Sequence, residues 1–454
     1  MNTFITICIF SLVTLTSVFG EIMIVDSLNQ LNEAISQSDK NIRMKPGNYD
    51  LKDLDQGRKR ISFSGSNNTI NLKGVKVKTT VGSVRNTYIV VKGNNNTIIG
   101  GDFEDVYRDG TKEVTEFGTY NLDRRTLSAG LSGDAVMSIY GNNNTVQGIK
   151  LTVKGSWPYG YGSYYGIGSH NTFGLNKRCG ILISRGEGNT IDGAELQMRS
   201  FGHGIYMQKG ANKTVIKNTL VEGKVRKTAD LYKETHPRAL PKRTNYHFPN
   251  LDDFQMKSPG KYPIPKDSVH SLCEDGIRMY NNTGSVTVEN CTVKKMRGGI
   301  RLYLGGPAIV KDCNVQHCQY TAYNLPKGGK VINSTGDFSF GPLSDYRSNR
   351  SNTKTEWTIT PSPYASGNHN LLDLLGNDHH VTLYRTNGPI DSTQKRAIVV
   401  TGSGSTVINN TEYTVILEKN AKDNTIKSYG TVTDLGSNNT VQKIKSLSTK
   451  HVKN

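Results

Sequence analysis

Gly93-Asn94-Asn95-Asn96-Thr97-Ile98-Ile99 returns as Gly141-Asn142-Asn143-Asn144-Thr145-Val146 and again as Gly186-Glu187-Gly188-Asn189-Thr190-Ile191. Relatives occur at Asn67-Asn68-Thr69-Ile70, Asn212-Lys213-Thr214-Val215, Asn424-Thr425-Ile426 and Asn438-Asn439-Thr440-Val441. The first copy stands between β-branched runs, Ile89-Val90-Val91 before it and Ile98-Ile99 closing it. Strand, tight polar turn and strand therefore recur along nearly the whole chain. Self-similarity at a period of about 20 to 30 residues is the mark of a solenoid. Short strands exclude the helical repeats. The expected fold is all-β: a single-stranded right-handed parallel β-helix (solenoid) with a short N-terminal cap helix and long loop insertions.

Composition agrees. The 454 residues are 35% hydrophobic and include 47 glycines, a low apolar share that suits a narrow stacked core. A solenoid of this length needs only one domain, because each coil contacts its neighbours alone. The formal net charge of +18 favours a polyanionic partner. Charge alone does not choose among nucleic acid, an acidic polysaccharide and an anionic surface. Of the six cysteines, Cys291-Thr292-Val293 and Cys313-Asn314-Val315 take the same place in successive coils, which suggests an inward stack rather than a disulfide framework. No Cys/His zinc spacing occurs.

Residues 1–20 read as a signal peptide: Ile5 to Phe19 is apolar or hydroxyl-bearing apart from Cys8, and Ser17 and Gly20 precede Glu21. A single membrane anchor is the alternative, although the stretch is short for a span. The chain is thus expected to be secreted or periplasmic, with 21–454 as one β-helix domain. Within it, 21–60 forms an N-terminal cap region, where Val25 to Ile35 reads as an amphipathic helix covering the open end of the core. Two excursions, 155–178 and 224–272, are expected to wall a cleft. The first is aromatic and glycine-rich, with Trp157 and Tyr161 suited to stacking on sugar rings. The second is basic, includes Arg226 and His270, and shows no clear secondary structure. The pattern lapses over 346–368. Residues 369–446 read as late scaffold coils.

Between these excursions the coils align. Cys179-Gly180-Ile181-Leu182-Ile183 matches His203-Gly204-Ile205-Tyr206-Met207, then Asp275-Gly276-Ile277-Arg278-Met279, then Gly298-Gly299-Ile300-Arg301-Leu302. Strand residues alternate faces, so the isoleucines point inward and the residues between them outward. Outward columns follow: Leu182, Tyr206, Arg278, Arg301, Asn324; then Ser184, Gln208, Tyr280, Tyr303; then Arg178, Gly202, Glu274, Arg297. His203 and Asp275 lie at the bend beside them. Like charges stacked across strands are destabilising. Arg278 beside Arg301 therefore calls for an offset, from Glu274 in part or from a bound carboxylate or sulfate. Against this stand bland readings: solubility for an arginine, lateral packing for a tyrosine, a hydrogen-bonded core residue for His203.

These coils, including Glu274-Asp275-Gly276-Ile277-Arg278, resemble the pectate-lyase-like superfamily, and within it polysaccharide lyases of the alginate lyase and chondroitinase B type. The resemblance covers about 40–440 and is specific for fold, weak for substrate. It implies β-elimination on an acidic, uronate-containing polysaccharide such as alginate or a glycosaminoglycan. The base lysine and calcium-binding acids of those enzymes have no motif counterpart here, so no metal ligand is named and calcium is left open as a cofactor. Gly202-His203-Gly204 is similar instead to a motif of polygalacturonase-type glycoside hydrolases, with the acidic pair in reversed order.

In the lyase reading Arg278 and Arg301 neutralise the substrate carboxylate. His203 or Tyr206 removes the proton, Tyr206 if nearby arginines favour its charged form, and Tyr206 or Tyr280 donates one. Glu274 orients the arginines. Arg297, Tyr303, Gln208, Trp157, Tyr161, Arg226 and His270 join Glu274 in binding. The expected partner is an acidic polysaccharide met by a monomer, with no nucleic acid and no stable membrane insertion. The alternatives are an inverting glycoside hydrolase, for which the neighbours Glu274 and Asp275 should face opposite ways on a strand, and a non-catalytic polysaccharide-binding or adhesin β-helix.

Overall fold

A computed structural model describes residues 21–55, 57, 59–80, 87–106, 134–154, 178–227, 269–271, 273–338, 341–346, 350–361, 369–387 and 396–450. These residues form a right-handed parallel β-helix. A typical coil gives one short strand to one sheet and two to the other. Ile205–Gln208, Thr214–Lys217 and Leu220–Glu222 make one coil, and Asp275–Met279, Val286–Glu289 and Thr292–Lys294 make the next. Successive coils pair in parallel, Ile205 with Ile277 and Ile216 with Val288.

The asparagines that dominate the repeat do two separate jobs at one turn. Asn67, Asn95 and Asn143 take positive φ values of 60°, 56° and 53°, which asparagine tolerates better than most residues. The next residue of each copy is buried and forms a ladder. Asn96 Oδ1 accepts the backbone N–H of Asn68, Asn144 Oδ1 that of Asn96, and Asn189 Oδ1 that of Asn144, at 3.0, 3.0 and 2.9 Å. Their Nδ2 groups donate to the carbonyls of Gly65, Gly93 and Gly141. Turn amides facing the core, which no strand can pair, are satisfied in this way.

The cap helix spans Leu28–Ser36, with Ser27 accepting from the Gln30 N–H, and buries Leu28, Leu31, Ala34 and Ile35. A strand earlier than expected, Ile22–Val25, pairs with Asn41–Met44. Inside, Ile181, Ile205, Ile277 and Ile300 stack without exposure. Cys291 and Cys313 are buried and unbridged, and the strands that follow them pair in register. The expected lapse over 346–368 is interrupted: Lys354–Ile359 pairs with Lys330–Gly336 and His380–Arg385 and buries Trp357. The late coils end with Thr440–Lys443. The excursion 224–272 has a secondary-structure stem, since Val225–Lys227 pairs antiparallel with Val269–Ser271. No helix among the described residues is long and apolar enough to cross a membrane.

Candidate functional site

The strand register on the smaller sheet places Leu182 beside Tyr206, Tyr206 beside Arg278, Arg278 beside Arg301 and Arg301 beside Asn324. This is the column expected from the aligned coils. All five side chains are buried, which sets aside simple solubility as the reason for the arginines.

Alternation breaks at the glycines. A Cβ on Gly204 would lie 2.4 Å from Val221 Cγ1, and one on Gly276 2.2 Å from Val293 Cγ1. On Gly299 it would lie 2.4 Å from Val315 Cγ1. These positions therefore face the core, as do the isoleucines that follow them. Two inward positions in a row leave Asp275 on the outer side together with Arg278.

Asp275 consequently supplies the offset that was assigned to Glu274 or to a bound anion. Its Oδ1 accepts from Arg301 Nη1 at 3.0 Å, and its Oδ2 lies 3.7 Å from Arg278 Nε. Burial alone would raise its pKa, but Arg301, Arg278, Arg297 and His203 outweigh that and hold the carboxyl well below the usual range. Glu274 serves a different arginine: Arg297 Nη2 donates to its Oε1 at 3.0 Å. Burial works against the charge on Arg297, yet Glu274 and Asp275 carry its pKa above the ordinary arginine value.

His203 sits between the two acids. Its Nε2 is 3.3 Å from Glu274 Oε2 and its Nδ1 3.6 Å from Asp275 Oδ2. Nδ1 accepts the backbone N–H of Asp275 at 3.2 Å, and Nε2 lies 2.7 Å from the Tyr280 hydroxyl. With Nδ1 occupied as an acceptor, the ring proton belongs on Nε2. The objection that Glu274 and Asp275 face opposite ways thus falls, because the bend brings both to one imidazole.

Tyr206 does not meet the condition set for it. It packs with Ala135, Cys179 and Leu182. Burial, then Cys179 and Asp134, push its pKa far above the ordinary phenol value, and no arginine favours its charged form. Tyr303 does gather arginines. Arg278 Nη2 donates to its hydroxyl at 2.9 Å, and the guanidinium carbons of Arg278, Arg301 and Arg350 lie 4.5, 5.2 and 4.0 Å from its ring centre. Burial would raise its pKa, but Arg301 and Arg278 lower it overall. Arg350 was not expected here; it reaches in from the region where the sequence pattern lapses and donates to Asn324 Oδ1 at 2.9 Å.

Gln208 is half-buried at the end of its strand. Arg226 and His270 are brought together, but as backbone partners in the antiparallel stem. Trp157 and Tyr161 lie outside the described residues, as do residues 1–20 and most of both excursions. Among the described residues no group of three or more His, Cys, Asp or Glu is arranged to hold a metal ion.

No family model matches the chain, and no curated protein matches it. Solved structures do. The catalytic domain of an alpha-1,3-glucanase in complex with nigerose matches at 11% identity and a TM-score of 0.46, over 94% of this chain and 68% of that one. A surface adhesin of Streptococcus pneumoniae matches at 11% identity and a TM-score of 0.43, over 88% and 83%. A polygalacturonase from Erwinia carotovora ssp. carotovora matches at 12% identity and a TM-score of 0.37, over 94% and 96%.

These likenesses are to hydrolases and an adhesin, and the expectation of a β-eliminating lyase on alginate or a glycosaminoglycan does not hold. One of its two candidate bases is also disfavoured, since burial pushes the Tyr206 phenol far above its ordinary pKa. The chain is a right-handed parallel β-helix, and the structures named here are not of the alginate lyase or chondroitinase B type.

Proposed function

We propose that the chain is a β-helical glycoside hydrolase whose reacting centre is His203 with Glu274 and Asp275. One observation carries the reading: two sequence-adjacent carboxylates, Glu274 just before the strand Asp275–Met279 and Asp275 at its start, both approach one imidazole. Hydrolysis of a glycosidic bond needs one group to protonate the leaving oxygen and another to activate water. Asp275, kept ionised by its arginines, suits the anionic role. The His203 Nε2–H, held by Glu274 and Tyr280, suits the proton-donating side. Gln208, Arg297 and Tyr303 flank that centre as binding residues. A secreted or periplasmic place of work rests on the apolar run from Ile5 to Phe19, and an acidic polysaccharide partner on the net charge of +18.

A second reading, a glycan-binding β-helix without turnover, is favoured by a different observation. Glu274 and Asp275 are 3% and 1% exposed, and each is ion-paired with arginine. Release of new reducing ends from a panel of neutral and acidic polysaccharides separates the two. The hydrolase reading expects release by the native chain and its loss in Glu274→Gln. Binding with no release in either protein supports the second reading.

A further inference from the structure

Two charge ladders on the larger sheet alternate in sign. Lys76, Asp102, Lys150 and Glu195 follow one another across neighbouring strands of the larger sheet, as do Asp192, Lys217, Glu289 and Lys311. Opposite charges placed this way stabilise a sheet, and like charges destabilise it. Arg278 beside Arg301 is a like-charge pair, as are Lys330 beside Lys354 and Asp345 beside Asp373, but here both members are buried.

Asp275 sits between the two guanidiniums, 3.0 Å from Arg301 Nη1 and 3.7 Å from Arg278 Nε. Arg278 Nη1 is buried and has no hydrogen-bond partner among the described residues, although the residue is 7% exposed. An unsatisfied buried N–H on a charged group costs stability, and an oxyanion brought to it would recover that cost. Around it the half-buried Tyr303 gathers Arg278, Arg301 and Arg350 on its ring and takes a hydrogen bond from Arg278. Arg350 has no place in the acid–imidazole centre. It is brought from a later coil and braced by Asn324, the next residue of the same column.

We propose that Arg278, Arg350 and Tyr303 form an anion-binding subsite that takes an oxyanion substituent of a glycan, a carboxylate or a sulfate ester. Guanidinium groups bind both through paired N–H donors, and the buried setting strengthens the contact. Tyr303 contributes a hydroxyl donor and a ring that holds the arginine planes in place. The inference rests on the glycan reading above, but it needs no turnover.

The test is calorimetric binding of four probes to the full chain: an oligogalacturonate, its methyl ester, a sulfated galactan oligosaccharide lacking carboxylates, and its unsulfated counterpart. At least one charged probe should bind about tenfold or more tighter than its neutral counterpart. Carboxylate preference alone identifies a uronate, and sulfate preference alone identifies a sulfate ester. Arg350→Ala should reduce the preference to about threefold or less, and Tyr303→Phe should weaken it less. Should Arg350→Ala fail to fold, Tyr303→Phe and the loss of preference with added salt decide the matter. Equal binding of charged and neutral probes would overturn the subsite, as would a preference unchanged in the folded variants. Preference without release of reducing ends would leave the subsite standing and remove the hydrolase.

Discussion

Nδ1 of His203 accepts the backbone N–H of Asp275 at 3.2 Å, so the acid supplies the fixed dipole that assigns the histidine's tautomer. Asparagine at 203 can keep that acceptor while removing Nε2. His203→Asn should therefore fold with a melting temperature near that of the native chain and lose turnover. His203→Gln, which cannot place an oxygen at Nδ1, should melt lower. Nitrogen NMR of the native imidazole should show the proton on Nε2. A proton on Nδ1 would contradict the assignment.

Asp275 ties stability to pH. Its folded pKa is depressed below the unfolded value of about 3.9, so its contribution is complete above about pH 5 and is lost as pH falls through about 4 and below. Asp275→Asn leaves Arg278 and Arg301 uncompensated and should cost about 3–5 kcal/mol at neutral pH. Denaturant titrations at stepped pH should show the gap to the native chain narrowing below about pH 4. A constant gap would mean that Asp275 carries no charge in the fold.

The inward glycines are a packing requirement. Gly276→Ala places a methyl 2.2 Å from Val293 Cγ1 and should destabilise by about 1–3 kcal/mol. Val293→Ala opens the space, so the double variant should lose less than the sum of the singles. Additive losses would show that the strain lies elsewhere. The chain itself tolerates a methyl one coil further on from Gly299, where Ala322 is buried.

Two neighbouring asparagines should respond differently to substitution. Asn144→Ala orphans the Asn96 N–H and the Gly93 carbonyl and should cost about 3 kcal/mol. Asn143→Gly keeps the positive φ of 53° at an exposed turn and should change stability by only a few tenths of a kcal/mol. Thermal melts of the two variants check the distinction. Equal losses would contradict the ladder.

The register of the coils was legible because the repeat itself aligns them, and Tyr206, Arg278, Arg301 and Asn324 could be placed in one column from the sequence alone. The direction of Asp275 was not. Strict alternation hides the doubled inward step at Gly276 and Ile277, although a glycine in that slot of successive coils was the available signal. Burial of the column was also hidden, since an outward strand position does not reveal what lies over it. Arg350 sits outside the repeat, and no spacing could have brought it to Tyr303.

The most direct test of the proposed activity is a reducing-end assay on the full chain across neutral and acidic polysaccharides, run beside Glu274→Gln. The account predicts new reducing ends on at least one polymer and none with the variant. Equal release by the two proteins would remove Glu274 from the chemistry. No release on any polymer, with binding retained, would contradict the hydrolase itself.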